Sequence, residues 1–193
     1  RWKTNLANNN NIITKTLPRK YPSGIEAIIF NSRRHPFNDV NVRQAICLLF
    51  PYEFINKILF HNLLSRTYGA WDNSYLKATT ILNRTSLNIL SKYKDQISIR
   101  ALEVTNINKE EDKRILLKNA LKLLEKSDWN IEKNILVNKQ NNKQLSFSVL
   151  TNQPRMERLL LIWAQQLKKI GIKMKVLITD SAQYQYRLQK FDF

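Results

Sequence analysis

The run from Leu145 to Ile178 limits the fold more than any other stretch. Leu145, Phe147 and Val149 alternate with polar residues up to Leu150, which gives a strand one apolar face. Residues 155–170 change to helical spacing, with Leu159, Leu160, Trp163, Leu167 and Ile170 in one stripe. Gly171 is placed to end that helix, and Met174 to Ile178 forms a second strand. Strand, helix and strand with short connections predict a parallel, right-handed βαβ unit. The chain is therefore α/β.

Other elements arrange themselves around this unit. Ile25 to Phe30 is rich in branched apolar residues and predicts a buried strand. After a turn at Arg33 to Asn38, Asp39 can cap a helix carrying Val42, Ala45, Ile46, Leu49 and Phe50 at helical spacing. Pro51 interrupts it, and a second helical pattern runs from Tyr52 to His61. Residues 62–84 predict a long loop containing Tyr68, Trp71 and Tyr75. A helix is expected over 109–127, capped by Asn108, with Glu110, Glu111 and Asp112 in the anion-favouring first turn. Its stripe is Leu116, Leu117, Ala120, Leu123 and Leu124, with Trp129 packing just beyond. The polar turn Asn138 to Lys143 between Ile135–Val137 and Leu145–Leu150 is a hairpin signal. Ser181 is the expected cap of a last helix through Tyr184, Leu188 and Gln189.

Charge and composition set limits on function. The formal charge is +17, yet the basic excess is spread along the chain with no long run. Nucleic-acid proteins concentrate such charge on a face or arm, so no nucleic acid is expected as a partner. Three glycines, with abundant Asn, Lys and Ile, fit a coding bias toward A and T, which supplies part of the charge. One cysteine excludes a disulfide framework. No run approaches the roughly 18 apolar residues of a membrane span.

Catalytic and metal-binding patterns are missing. His35 and His61 have no ligand partner at metal spacing and read as a turn residue and a helix-end residue. Cys47, beside Ile46 and Leu48, reads as a core thiol. No phosphate-cradling glycine loop or nucleophile elbow occurs. We expect no enzyme, no catalytic residue, no metal and no cofactor.

The stretch from Asn31 to Phe60 carries an Asn-ending strand, then Pro36-Phe37, Asp39 and Val42-Arg43-Gln44-Ala45 leading into a helix pair. Pro22-Ser23-Gly24 precedes it, and Ser65-Arg66-Thr67 and Asn73-Ser74 follow it. Ala120, Leu123, Leu124 and Trp129, then Gln183-Tyr184, Arg187-Leu188 and Phe191-Asp192-Phe193, complete an ordered series. The series resembles extracellular solute-binding protein family 5, the peptide, oligopeptide and microcin C type that serves ABC importers. The resemblance implies a periplasmic-binding-protein-like α/β fold of type II, of the dipeptide/oligopeptide-binding type. It would be truncated to mostly one lobe, a mixed sheet with flanking helices. Residues 1–34 would be the end of the first lobe and a hinge crossover strand, and residues 35–193 an incomplete second lobe. The opening at Arg1 shows no signal-like run, and the close at Phe193 follows a helix directly, so both ends are expected to be cuts.

The resemblance further implies a transport component without chemistry, periplasmic in its parent protein. Its partners would be a peptide or peptide-like ligand, an ABC permease in the membrane and the missing first lobe. Tyr68, Trp71 and Asn73 sit on a loop suited to line a cleft, and Arg187 is placed to meet a ligand carboxylate. Asp39 and Arg43 read as a cap with a local ion pair. Two alternatives remain at this point: a basic nucleic-acid or anionic-surface binding domain, and a nonfunctional remnant of a truncated gene.

Overall fold

A computed structural model describes residues 15, 17, 24–67, 71, 72, 74–77, 84–97 and 112–193. Its elements are, in chain order, α1 (Val40–Leu48), α2 (Tyr52–Phe60), α3 (Arg84–Ser91), α4 (Lys113–Glu125), β1 (Trp129–Glu132), β2 (Ile135–Asn138), β3 (Ser146–Thr151), α5 (Pro154–Lys168), β4 (Lys173–Ile178) and α6 (Ser181–Gln189). They fall into two compact units. One comprises residues 1–26 and 67–107, the other residues 27–66 and 108–193.

The larger unit is built on the βαβ pattern. Strands β3 and β4 pair in parallel, from Ser146 opposite Lys173 to Thr151 opposite Ile178. A two-stranded sheet is marginal alone. Here α5 packs on both strands and buries Leu159, Leu160, Trp163 and Leu167. Pro154 opens α5 at a position where no N–H is needed. Gly171, at φ +81°, closes the following turn, its N–H donating to the Lys168 carbonyl (3.0 Å). The Gly171 carbonyl in turn accepts from Leu136 N–H (3.1 Å) and Gln144 Nε2 (2.8 Å), which ties the helix end to β2.

Helices α1 and α4 form a second layer. Val42, Ala45 and Ile46 of α1 and Ala120 and Leu124 of α4 are fully buried. Rings connect the layers: Phe37 lies 4.8 Å from Phe30 and 5.0 Å from Phe147, and Trp163 lies 5.2 Å from Phe50. Asp39 caps α1, accepting from Asn41 N–H at 2.7 Å. Hydrogen bonding also sets its ionisation. Partial burial opposes the charge, but donors from Ser127, Asn41 and Val42, with Arg43 nearby, hold the carboxyl below its usual range.

Several expectations change. Residues 24–31 form no regular strand: Ile28 and Phe30 turn toward the core, while Ile29 stays exposed and no ladder partner pairs with the segment among the described residues. Helix α4 starts at Lys113 with Asp112 as its cap, because the Asp112 carboxylate takes the Arg114 N–H at 2.9 Å. The expected cap Asn108 and the residues Glu110 and Glu111 lie outside the described residues. Leu117 is on the solvent side of α4. Asp180, not Ser181, caps α6, accepting from Gln183 N–H at 2.9 Å.

The hairpin partner of β2 is β1, through a two-residue turn in which Lys133 (φ 48°) and Asn134 (φ 65°) both take positive φ. The turn after Asn138 is present, but only the bridge Val137–Gln144 forms there before β3 departs to β4. Cys47 is exposed on α1, and partial desolvation of its thiol pushes its pKa up. Arg43 donates to the carbonyls of Phe37 and Asn38 rather than closing an ion pair with Asp39, so it braces the turn before α1. Helix α3, Arg84–Ser91, starts where the expected loop 62–84 ends and has no buried residue.

Candidate functional site

Of the four residues expected to touch ligand, Tyr68 and Asn73 lie outside the described residues. Trp71 belongs to the smaller unit and is 62% exposed. Its backbone is held by a compact turn: the Trp71 carbonyl accepts from Ser74 Oγ at 2.7 Å, and Ser74 Oγ accepts from Leu76 N–H at 3.1 Å. Asp72 and Lys77 close the same turn with an ion pair at 3.5 Å. Tyr75, beside them, is almost fully exposed. The turn thus fixes the backbone while leaving two aromatic side chains in solvent, an arrangement able to offer apolar contact area.

Arg187 belongs to the larger unit, on the last turn of α6. Its Nε donates to Asp192 Oδ2 at 2.9 Å and to the Asp192 carbonyl at 3.0 Å. Asp192 also receives Arg34 Nη1 at 2.8 Å. The bond from Arg34 outweighs desolvation and, with the charge of Arg187, holds the Asp192 carboxyl below its usual range. Arg33 places its guanidinium 3.6 Å from the centre of the Phe191 ring. Asn31, buried, donates its side-chain amide to the carbonyls of Phe191 (2.8 Å) and Phe193 (3.1 Å).

Sequence reasoning did not connect these groups. Both ends of the cluster, Asn31 and Phe191-Asp192-Phe193, belong to the ordered motif series, but nothing in their spacing of about 160 residues says that they touch. Among the described residues no group of three His, Cys, Asp or Glu could hold a metal ion. None of the helices described is long and apolar enough to cross a membrane.

The model of one family, bacterial extracellular solute-binding proteins, family 5, matches residues 3–193. The chain belongs to that family. It is 29% identical over 180 residues to the uncharacterized protein y4wM of Sinorhizobium fredii, covering 91% of this chain and 27% of the relative. To the "Probable peptide-binding protein YejA" of Agrobacterium fabrum it is 31% identical over 183 residues, covering 92% of this chain and 30% of the relative. The chain thus spans less than a third of the length of these curated relatives.

Solved structures agree on the fold. The oligopeptide-binding protein AppA of Bacillus subtilis, in complex with a nonapeptide, matches with a TM-score of 0.58 at 22% identity, covering 83% of this chain and 27% of AppA. A periplasmic oligopeptide-binding protein of Thermotoga maritima matches with a TM-score of 0.60 at 17% identity, covering 95% of this chain and 31% of that protein. The fold is that of part of a periplasmic oligopeptide-binding protein. The family and these neighbours are binding proteins rather than enzymes.

Proposed function

We propose that this chain is part of the substrate-binding component of a peptide-type ABC importer, contributing most of the second of two lobes. In this reading residues 1–34 end the first lobe and cross the hinge, and residues 35–193 form an incomplete second lobe. The carrying observation is the family match over residues 3–193 together with the relative named as a probable peptide-binding protein. A peptide enters an open cleft, the lobes close about a hinge, and the closed form docks on a membrane permease. The process needs no bond-making step, so the chain needs only contact groups and a pivot. The parent works in the periplasm.

Within this reading Tyr68, Trp71 and Asn73 supply cleft wall and amide contacts. The exposed indole of Trp71 on its braced turn supports that role. Arg187 meets a ligand carboxylate only if it shares its guanidinium with Asp192, its partner in the structure. Affinity in a clamp comes from groups on both lobes, so one lobe alone binds weakly.

Calorimetric titration of the complete polypeptide containing this segment tests the ligand class. Tri- to pentapeptides are compared with Ni(L-His), the ligand held by NikZ of Campylobacter jejuni, a protein of related fold. Peptide binding in the micromolar range or tighter, with no heat from the chelate, is the expected result. Chelate binding without peptide binding would overturn the reading.

A further inference from the structure

The contacts joining residues 31–34 to residues 187–193 do more than close the surface of the larger unit. The chain passes from the smaller unit into the larger between Glu26 and Ala27, only a few residues before Asn31. From there Asn31 spends both of its amide hydrogens on the carbonyls of Phe191 and Phe193, and its Oδ1 accepts from Arg33 N–H at 3.2 Å. Arg34 and Arg187 converge on the single carboxylate of Asp192. Phe191 takes φ 51°, which turns the backbone sharply after α6, and Asp192 N–H returns to the Arg187 carbonyl at 2.8 Å. A positive φ is uncommon for a bulky residue and is held here by bonds on both sides of it. Four side chains from two distant segments therefore fix one short stretch of backbone.

We infer that Asn31, Arg34, Arg187 and Asp192 form a positioning clasp, which binds the segment entering the larger unit to the stretch 191–193 and so sets the direction of both at one pivot. In its consequence for ligand binding the inference rests on the two-lobe reading proposed above. If the lobes close by bending near residues 27–31, a clasp on that segment biases the open and closed forms, and loosening it shifts ligand affinity. The groups act through the backbone and need not touch ligand.

Two measurements separate the clasp from the reading on which it rests. The first uses the 193-residue chain. Hydrogen exchange is followed at residues 188–193 in the wild type, in Asp192→Asn and in Arg34→Gln. Exchange should rise about tenfold there, with little change in the Trp163 region, and Arg34→Lys should restore protection. Unchanged exchange at 188–193 overturns the clasp whatever the protein binds. The second places Arg34→Gln and Arg34→Lys in the complete polypeptide and measures peptide affinity. Arg34→Gln should shift Kd by about threefold or more, with Arg34→Lys close to wild type. Local loosening with an unaltered Kd would refute the positioning role. Absence of any peptide binding would refute the two-lobe reading but leave the exchange result standing.

Discussion

Replacing Gly171 with alanine should be among the most damaging single changes in the larger unit. A Cβ there would lie 2.4 Å from the Leu136 nitrogen, 2.6 Å from the Ile135 Cα and 2.7 Å from the Ile135 carbonyl carbon. All three are backbone atoms of β2, so no side chain can swing aside. The φ of +81° adds a second cost of about 1–2 kcal/mol for an L-residue. Overpacking against a fixed strand adds about 1–3 kcal/mol. Weakening the bond from Leu136 N–H to the Gly171 carbonyl adds about 1 kcal/mol. The sum is about 3–6 kcal/mol, a large part of a typical domain's stability. With a urea m-value of about 2 kcal/mol/M, the midpoint should fall by about 1.5–3 M.

Fluorescence of the buried Trp129 and Trp163 reports this unfolding. Gly171→Asn separates the two causes. Asparagine tolerates positive φ but carries the same Cβ, so it should lose nearly as much stability. Gly24→Ala, where nothing lies within 4 Å, should stay within about 0.5 kcal/mol of wild type. A Gly171→Ala midpoint within about 0.3 M of wild type would show that β2 yields to a Cβ at position 171 at little cost. Full recovery in Gly171→Asn would assign the cost to backbone strain instead of close approach.

Three further changes test separate parts of the fold. Leu124→Ala, at a fully buried site beneath α1, should cost about 2–5 kcal/mol by leaving a cavity, read as a lower urea midpoint. Asn56→Ala should cost about 1–3 kcal/mol. The Asn56 side chain donates to the Leu64 carbonyl (2.9 Å) and accepts from Leu64 N–H (3.2 Å), so residues 61–66 should also gain proteolytic sensitivity. Asp39 has a folded pKa below its unfolded one, so its contribution is present above the unfolded pKa and is lost as pH falls through the folded value. Thermal melts from pH 6 down to pH 2 should therefore fall less steeply in Asp39→Asn than in wild type, and an identical slope would contradict the cap's ionic role.

Where the sequence was legible, local chemistry and tertiary packing agreed. The βαβ unit shows in the alternation of β3, the stripe of α5 and the placement of Gly171, since each choice satisfies both its own element and the core. Caps were harder to read. Asp180 and Ser181 are both good caps in isolation, and the backbone decides by holding Asp180 extended at ψ 167°. Cys47 has apolar neighbours along the chain, but its position on α1 turns it to solvent. Helix α3 is short and buries none of its apolar residues, with Leu87 and Ile89 exposed, so core packing does not mark it out.

The 25–30 segment has the composition of a strand, yet its neighbours contribute ring and side-chain packing without a ladder. The candidate site was partly legible for a similar reason. A braced turn around Trp71 is local, whereas the meeting of Asn31 with Phe191 and Phe193 is a product of the whole fold. The bond from Arg187 to Asp192, five residues on, crosses a turn with positive φ at Phe191 that the sequence pattern does not announce.

We propose above that this chain supplies one side of a two-lobed clamp. Calorimetric titration of the 193-residue chain with short peptides tests it most directly. No saturable heat is expected at micromolar peptide if the chain is one lobe of a clamp, since one lobe buries too little of the ligand to hold it. Saturable binding with a micromolar Kd to this chain alone would contradict it.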